Sequence, residues 1–125
     1  MTILGAFQVS KTGDLANWVI PGKIVKGPGG GMDLTASGSR VVVTMEHAAK
    51  NGEFKILNQC KLPITAKGCI DRIITELAVF DTDKKKGGLI LIEKEKDVTV
   101  EQIRKLTECD FTVSPNLADI KYSEK

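Results

Sequence analysis

Residues 27–34 of this 125-residue chain read Gly27-Pro28-Gly29-Gly30-Gly31-Met32-Asp33-Leu34. Such a run, without bulky side chains at its start, lets main-chain N–H groups come close to a ligand. Consecutive amides aimed at one point can hold an anion, or an oxygen that gains negative charge during a reaction. A loop of this composition is equally the mark of a tight connection that binds nothing, and both readings stay open on the residues alone. Two nucleotide motifs fail here. The dinucleotide fingerprint Gly-x-Gly-x-x-Gly, started at Gly27 or Gly29, would need glycine where Met32 or Leu34 stands. A Walker loop needs Ser or Thr after Gly-Lys, and Gly22-Lys23 is followed by Ile24.

Other residue pairs invite chemical readings and have plainer alternatives. Glu46 and His47 are adjacent, but neighbours on a strand point to opposite faces, so an extended chain through His47 forms no dyad and both read as structural or surface residues. Asp33 can cap a short helix after the loop. Lys23 and Lys26 are candidates for phosphate contact, and Lys84-Lys85-Lys86 reads as a solvated hairpin tip. Cys60, Cys69 and Cys109 have no Cys-x-x-Cys spacing, and the chain has a single histidine, so free and mostly buried thiols are expected and a metal site is not.

The elements that must position these residues follow from periodicity and punctuation. Leu4–Val9 reads as one strand closed by Ser10, Thr12, Gly13 and Asp14. Trp18–Ile20 is a short apolar run stopped by Pro21-Gly22, Ile24-Val25 leads into the glycine loop, and Met32–Ala36 reads as a brief helix. Val41–Met45 is β-branched and suits a strand buried on both faces. Phe54–Leu57 is a weaker strand candidate, and the period of Ile70–Phe80 does not separate helix from strand. Leu77–Asp81 and Leu89–Glu93 flank a charged, glycine-ended tip, which predicts a hairpin. Thr99 with Gln102 three positions on forms a capping box for a helix with Val100, Ile103 and Leu106 on one face and Glu101, Arg104 and Lys105 pointing away. Phe111–Val113 reads as a last strand ended by Pro115, with residues 116–125 frayed.

The whole is expected to be one α/β unit, residues 1–125, with a mixed sheet, many strands and few helices. Hydrophobic residues make up 42% and charged residues 27%, ordinary for a globular domain, and a net charge of +2 gives no case for nucleic acid or an anionic membrane. No apolar run approaches a membrane span, and Met1-Thr2-Ile3-Leu4-Gly5 has no secretory pattern.

Leu4-Gly5-Ala6-Phe7-Gln8-Val9-Ser10-Lys11, Gly13–Trp18, Ile20–Lys23, Val25–Gly27, Gly29-Gly30, Met32–Leu34, Val42–His47 and Ile73–Glu76 with Ala78–Phe80 form an ordered set. It resembles the β portion of the succinyl-CoA:3-ketoacid (3-oxoacid) CoA-transferases from about Leu4 to Pro115. Gln8–Lys11, Ile73–Glu76 and Asp83–Gly87 look more like the mitochondrial than the bacterial enzymes. The resemblance implies a partial CoA-transferase-like domain with CoA thioesters as substrates, a 3-oxo acid as acceptor and no further cofactor or metal. It also implies an α-subunit-like lobe as partner, a homo-oligomeric parent and a mitochondrial matrix location, although no targeting segment is visible.

In that family a glutamate takes CoA from succinyl-CoA through an anhydride, becomes a glutamyl-CoA thioester, and passes the CoA to acetoacetate. By resemblance Gly30 is the oxyanion-type amide donor and Gly29 shapes the loop. Gly31, Met32 and Lys26 then lie along the CoA ester. Pro28 replaces the usual Met and Gly31 the usual Ala, which removes one N–H and adds freedom at the other end. The nucleophile belongs to an upstream Ser-Glu-Asn-Gly motif that this sequence does not contain, and the missing sequence should include strands of the parent's sheet. A non-catalytic truncated paralogue, or a fragment that docks on a full-length partner, is the alternative; a thioesterase using another carboxylate has no motif here.

Overall fold

The computed structural model describes residues 2–16, 40–61, 64–83 and 85–120. Their regular structure is two sheets and a short helix. The larger is six-stranded in the order β1-β4-β7-β8-β9-β10, and the smaller is four-stranded in the order β5-β2-β3-β6. Here β1 is Thr2–Gly5, β2 Gln8–Ser10, β3 Leu15–Ala16, β4 Val41–Thr44 and β5 Ile56–Leu57. They are followed by β6 Ile64–Ala66, β7 Arg72–Ile74, β8 Ala78–Thr82, β9 Leu89–Lys94 and β10 Phe111–Asp119. The helix, α1, is Val100–Lys105.

In the larger sheet β1 pairs parallel with β4, β4 with β7 and β9 with β10, whereas β8 is antiparallel to both neighbours. Register places Leu4, Val43, Ile73, Phe80 and Leu91 in one row across this sheet. Each of these side chains is fully buried. Val9, Leu15 and Ile56 of the smaller sheet and Ile103 of α1 join the same cluster. The core thus lies between the two sheets, where each large side chain contributes about 1.5–3 kcal/mol. Phe80 meets Phe111 edge to face, with ring centroids 5.1 Å apart. The opposite face of the larger sheet carries an ion pair, Arg72 Nε to Asp81 Oδ1 at 2.7 Å across strands β7 and β8.

Several sequence expectations are met by this architecture. β4 is buried at Val41, Val42 and Val43, as its β-branched run requires. The β8–β9 hairpin forms, and Asp83 closes its tip by accepting the N–H groups of Lys85 and Lys86 on Oδ1. The capping box is present: Thr99 Oγ1 accepts from Gln102 N–H and Gln102 Oε1 from Thr99 N–H.

Others are corrected. Leu4–Val9 is not one strand: the chain crosses from the larger sheet to the smaller at Ala6-Phe7. Ala6 N–H still donates to Thr44 on β4, but Phe7 N–H donates to Ala16 on β3. Ile70–Phe80 resolves into two strands joined by a turn at Thr75–Leu77. Phe54 contributes only an isolated bridge to Ala48, leaving β5 two residues long. Strand β6 had no strong signal. The last strand does not stop at Pro115 but runs to Asp119, with a register shift between Val113 and Ala118. An edge strand tolerates proline because its missing N–H would face away from the sheet. Residues 116–119, expected to fray, therefore belong to β10, and residues 121–125 lie outside the described ones. Arg104 does not point away: its guanidinium lies 4.3 Å from the Phe111 ring centroid and donates to the Phe111 carbonyl.

Candidate functional site

The residues singled out for chemistry, Lys26, Gly29, Gly30, Gly31 and Met32, lie outside the described residues, as do Lys23, Asp33, the Trp18–Ile20 run and the expected helix at Met32–Ala36. What the structure describes is the frame on either side of them. The chain leaves β3 at Ala16 and re-enters at Arg40, immediately before β4. Ala16 is fully buried, pairs with Gln8 and Ile64, and accepts from the Phe7 N–H. It therefore sits beside the carboxyl end of β1. On the return side, Val41 N–H donates to Asp71 Oδ2 at 2.7 Å, which fixes the start of β4 against the start of β7.

The carboxyl ends of β1, β4 and β7 finish side by side, with Gly5 opposite Thr44 and Thr44 opposite Ile74. Ligands of open α/β sheets bind outside such ends. The connections leaving them are Ala6-Phe7, Met45–His47 and Thr75–Leu77, and the amino anchor of the glycine-bearing segment lies among them. This end of the sheet is the candidate site.

One side chain locks its floor. His47 is fully buried, with Nδ1 2.9 Å from Thr75 Oγ1 and Nε2 2.7 Å from Thr107 Oγ1. The Thr107 hydroxyl donates to the Ile103 carbonyl at 2.8 Å, so its oxygen accepts, and Nε2 carries the proton. Nδ1 is then bare and, at 2.9 Å, accepts from the Thr75 hydroxyl in preference to the Ala78 carbonyl at 3.3 Å, while the Thr75 oxygen accepts the N–H groups of Leu77 and Ala78. The ring is a neutral tautomer with both nitrogens occupied. Burial pushes its pKa from 6.5 down to about 4, against a smaller upward pull from Glu76. The main-chain N–H of His47 is bound as well, to Glu76 Oε1 at 2.9 Å. His47 thus joins the end of β4 to the β7–β8 turn and to the residue after α1.

This arrangement excludes His47 as a base for a surface substrate. Glu46 is exposed while His47 is fully buried, and the two form no dyad, as strand alternation requires. Asn51 and Glu53 bind one another around a turn at Gly52 (φ +89°), on the exposed surface. The three cysteines are free, and burial raises the thiol pKa values of Cys60 and Cys109 to about 11, so neither is a thiolate nucleophile at neutral pH. Among the described residues no three His, Cys, Asp or Glu side chains are grouped to hold a metal ion. Sequence reasoning missed Thr75 and Thr107 as partners of His47; two threonines 28 and 60 residues away give no local signal.

A cavity of about 490 Å³ lies at the opposite end of the sheet, by the starts of β9 and β10, with Lys11, Lys86, Asp83 and Asp110 on its rim and Leu89 and Phe111 in its wall. Two cations and two anions give its rim no net charge.

The family model described as Coenzyme A transferase matches residues 1–106. The human protein named succinyl-CoA:3-ketoacid coenzyme A transferase 2, mitochondrial, is 58% identical over 118 residues, covering 94% of this chain and 23% of that protein. A Bacillus subtilis protein, named as one subunit of a probable succinyl-CoA:3-ketoacid coenzyme A transferase, is 49% identical over 117 residues, covering 94% of this chain and 53% of that protein. This chain therefore spans about a quarter of the first and half of the second. The crystal structure of an Escherichia coli acyl-CoA transferase apoenzyme superposes with a TM-score of 0.74 at 24% identity, over 95% of this chain and 27% of that one. That likeness is one of fold.

Proposed function

Because this chain belongs to the coenzyme A transferase family, we propose that it is the carboxy-terminal part of the β-subunit-like lobe of a 3-oxoacid CoA-transferase. In this reading the parent moves CoA from succinyl-CoA to acetoacetate through a glutamyl-CoA thioester, in the catabolism of ketone bodies in the mitochondrial matrix. The observation that carries it is the 58% identity to the human mitochondrial enzyme over 94% of the chain. This portion supplies oxyanion stabilisation from the amide of Gly30, shaped by Gly29. Gly31, Met32 and Lys26 line the path of the CoA ester. The attacking glutamate and the α-subunit-like lobe come from elsewhere in the parent.

Negative charge forms on the thioester oxygen each time a carboxylate adds to it. A fixed N–H donor strengthens its bond as that charge grows, which lowers the barrier by about 2.7–4 kcal/mol per donor in comparable sites. A side chain at the donor position would crowd the acyl group. The buried His47 network has no part in proton transfer here; it ties the carboxyl end of β4 to the β7–β8 turn and to Thr107.

A chimera tests the reading. This chain replaces the matching part of the Bacillus subtilis protein and is assayed with that enzyme's other subunit for acetoacetyl-CoA formation from succinyl-CoA and acetoacetate. Transfer is expected, and Gly30→Pro, which removes the donor N–H, should lower kcat roughly 10²–10³-fold. An assembled chimera without activity would overturn the proposal. The chain alone should give no product, since the Ser-Glu-Asn-Gly motif is absent from it; product above background would return attention to Glu46 and Glu53. The same absence supports a second reading, a non-catalytic paralogue that folds or docks on a full-length partner, and an inactive but well-assembled chimera would favour it.

A further inference from the structure

Asn51-Gly52 is the chain's one Asn-Gly pair; its other asparagines are followed by Trp18, Gln59 and Leu117. Asparagine is thermolabile because the next residue's main-chain nitrogen can attack its side-chain amide carbon. A side chain on that next residue hinders the approach, and glycine has none. Asn51, Gly52 and Glu53 are all exposed, and a Cβ placed on Gly52 would meet nothing within 4 Å, so there is room for a ring to close.

The turn also prepares the amide. Asn51 Oδ1 accepts the Glu53 N–H at 3.0 Å, and Asn51 Nδ2 donates to Glu53 Oε1 at 3.2 Å. When a nitrogen adds to the amide carbon, negative charge gathers on Oδ1, where a donor is already in place. One contact opposes the step: Gly52 N–H donates to the Ala49 carbonyl at 2.9 Å. A neutral hydrogen bond of this kind restrains an equilibrium by only about two- to tenfold.

We propose that Asn51 is a site of spontaneous deamidation, with water as the co-reactant. Gly52 N gives its proton to solvent and bonds to Asn51 Cγ. The Cγ–Nδ2 bond breaks, and Nδ2 takes a proton from solvent and leaves as ammonia. Water then opens the resulting succinimide. Cleavage at Cγ yields aspartate, and cleavage at the main-chain carbonyl yields isoaspartate, whose backbone runs through Cγ. Nothing is oxidised or reduced. Either product sets a carboxylate against Glu53 where a donor stood. The Ala49–Glu53 main-chain bond and the Ala48–Phe54 bridge then loosen, while fully buried His47 and Ile56 on either side confine the change to the turn. None of this depends on the acyl-transfer reading.

The test incubates the full folded chain at mildly alkaline pH and follows it by mass spectrometry after brief trypsin digestion, which frees residues 51–55 between Lys50 and Lys55. That peptide should gain the mass of an amide-to-acid exchange, in separable aspartate and isoaspartate forms. Its rate should lie within about tenfold of that in the urea-unfolded chain. Peptides carrying Asn58 and Asn116 should stay unchanged over the same interval. Gly52→Ala should slow conversion by roughly tenfold or more, because its Cβ obstructs the attack. Asn51→Asp, which copies one product, should speed amide exchange at Ala49 about two- to tenfold, the weight of one lost hydrogen bond. Four results would each overturn the inference: protection of Asn51 in the folded chain beyond that range, conversion at Asn58 or Asn116 as fast as at Asn51, a Gly52→Ala variant as fast as the native chain, or unchanged Ala49 exchange in Asn51→Asp.

Discussion

Acid should destabilise this protein through His47, and the size of the effect follows from its burial. The folded ring has a pKa of about 4, while in the unfolded chain it returns to 6.5. Between these values the unfolded state binds more protons than the folded one, so stability falls as pH falls, starting near 6.5 and ending below 4. At about 1.36 kcal/mol per pH unit the full loss is about 3 kcal/mol, of which about 2 kcal/mol is gone by pH 5. The geometry gives the cause. Charging the ring adds a proton at Nδ1, where the Thr75 oxygen already accepts from two amides, in a site closed to solvent. Carboxylates titrate in the same range, so the assay is a difference. Urea unfolding at pH 7 and pH 5 is compared for the native chain and His47→Gln, and the native chain should lose about 2 kcal/mol more than the variant. Because the chain has a single histidine, the imidazole proton signals in the folded protein report its pKa directly. A folded-state titration near 6.5, or equal losses in the two proteins, would refute the reasoning.

Three further outcomes follow from the same contacts. Thr107→Val removes the acceptor for His47 Nε2–H and should cost about 1–3 kcal/mol in urea unfolding, with Thr107→Ser recovering most of it. Gly13→Ala places a Cβ 3.3 Å from the Ile70 carbonyl at φ +84°, whereas Gly52→Ala at φ +89° meets nothing within 4 Å. Both pay a left-handed penalty of about 1–2 kcal/mol, and Gly13→Ala should lower the melting temperature more. Thr99→Ala breaks the capping box of α1 and should cost about 1 kcal/mol, while Thr99→Asp should be close to neutral; thermal unfolding distinguishes them.

The sequence alone determined whatever depends on a few neighbouring residues. Thr99 and Gln102 announce the helix start because a capping box closes within one turn. The charged tip between Leu77–Asp81 and Leu89–Glu93 announces the hairpin, and the β-branched run at 41–43 a buried strand. The motif order also identified the family and, through it, the glycine loop as the candidate chemistry. Tertiary structure decided what depends on partners far along the chain. The break at Ala6-Phe7 exists because Thr44 and Ala16, in different sheets, accept successive amides. Pro115 is tolerated within a strand because β10 lies at an edge, which only the strand order reveals. His47 becomes a neutral, double-bonded link rather than a base because Thr75 and Thr107 converge on it. Local pattern fixes which backbone conformation is cheap. Which strand lies beside which, and so which polar groups meet in the core, is set by register and packing over distances no short window contains.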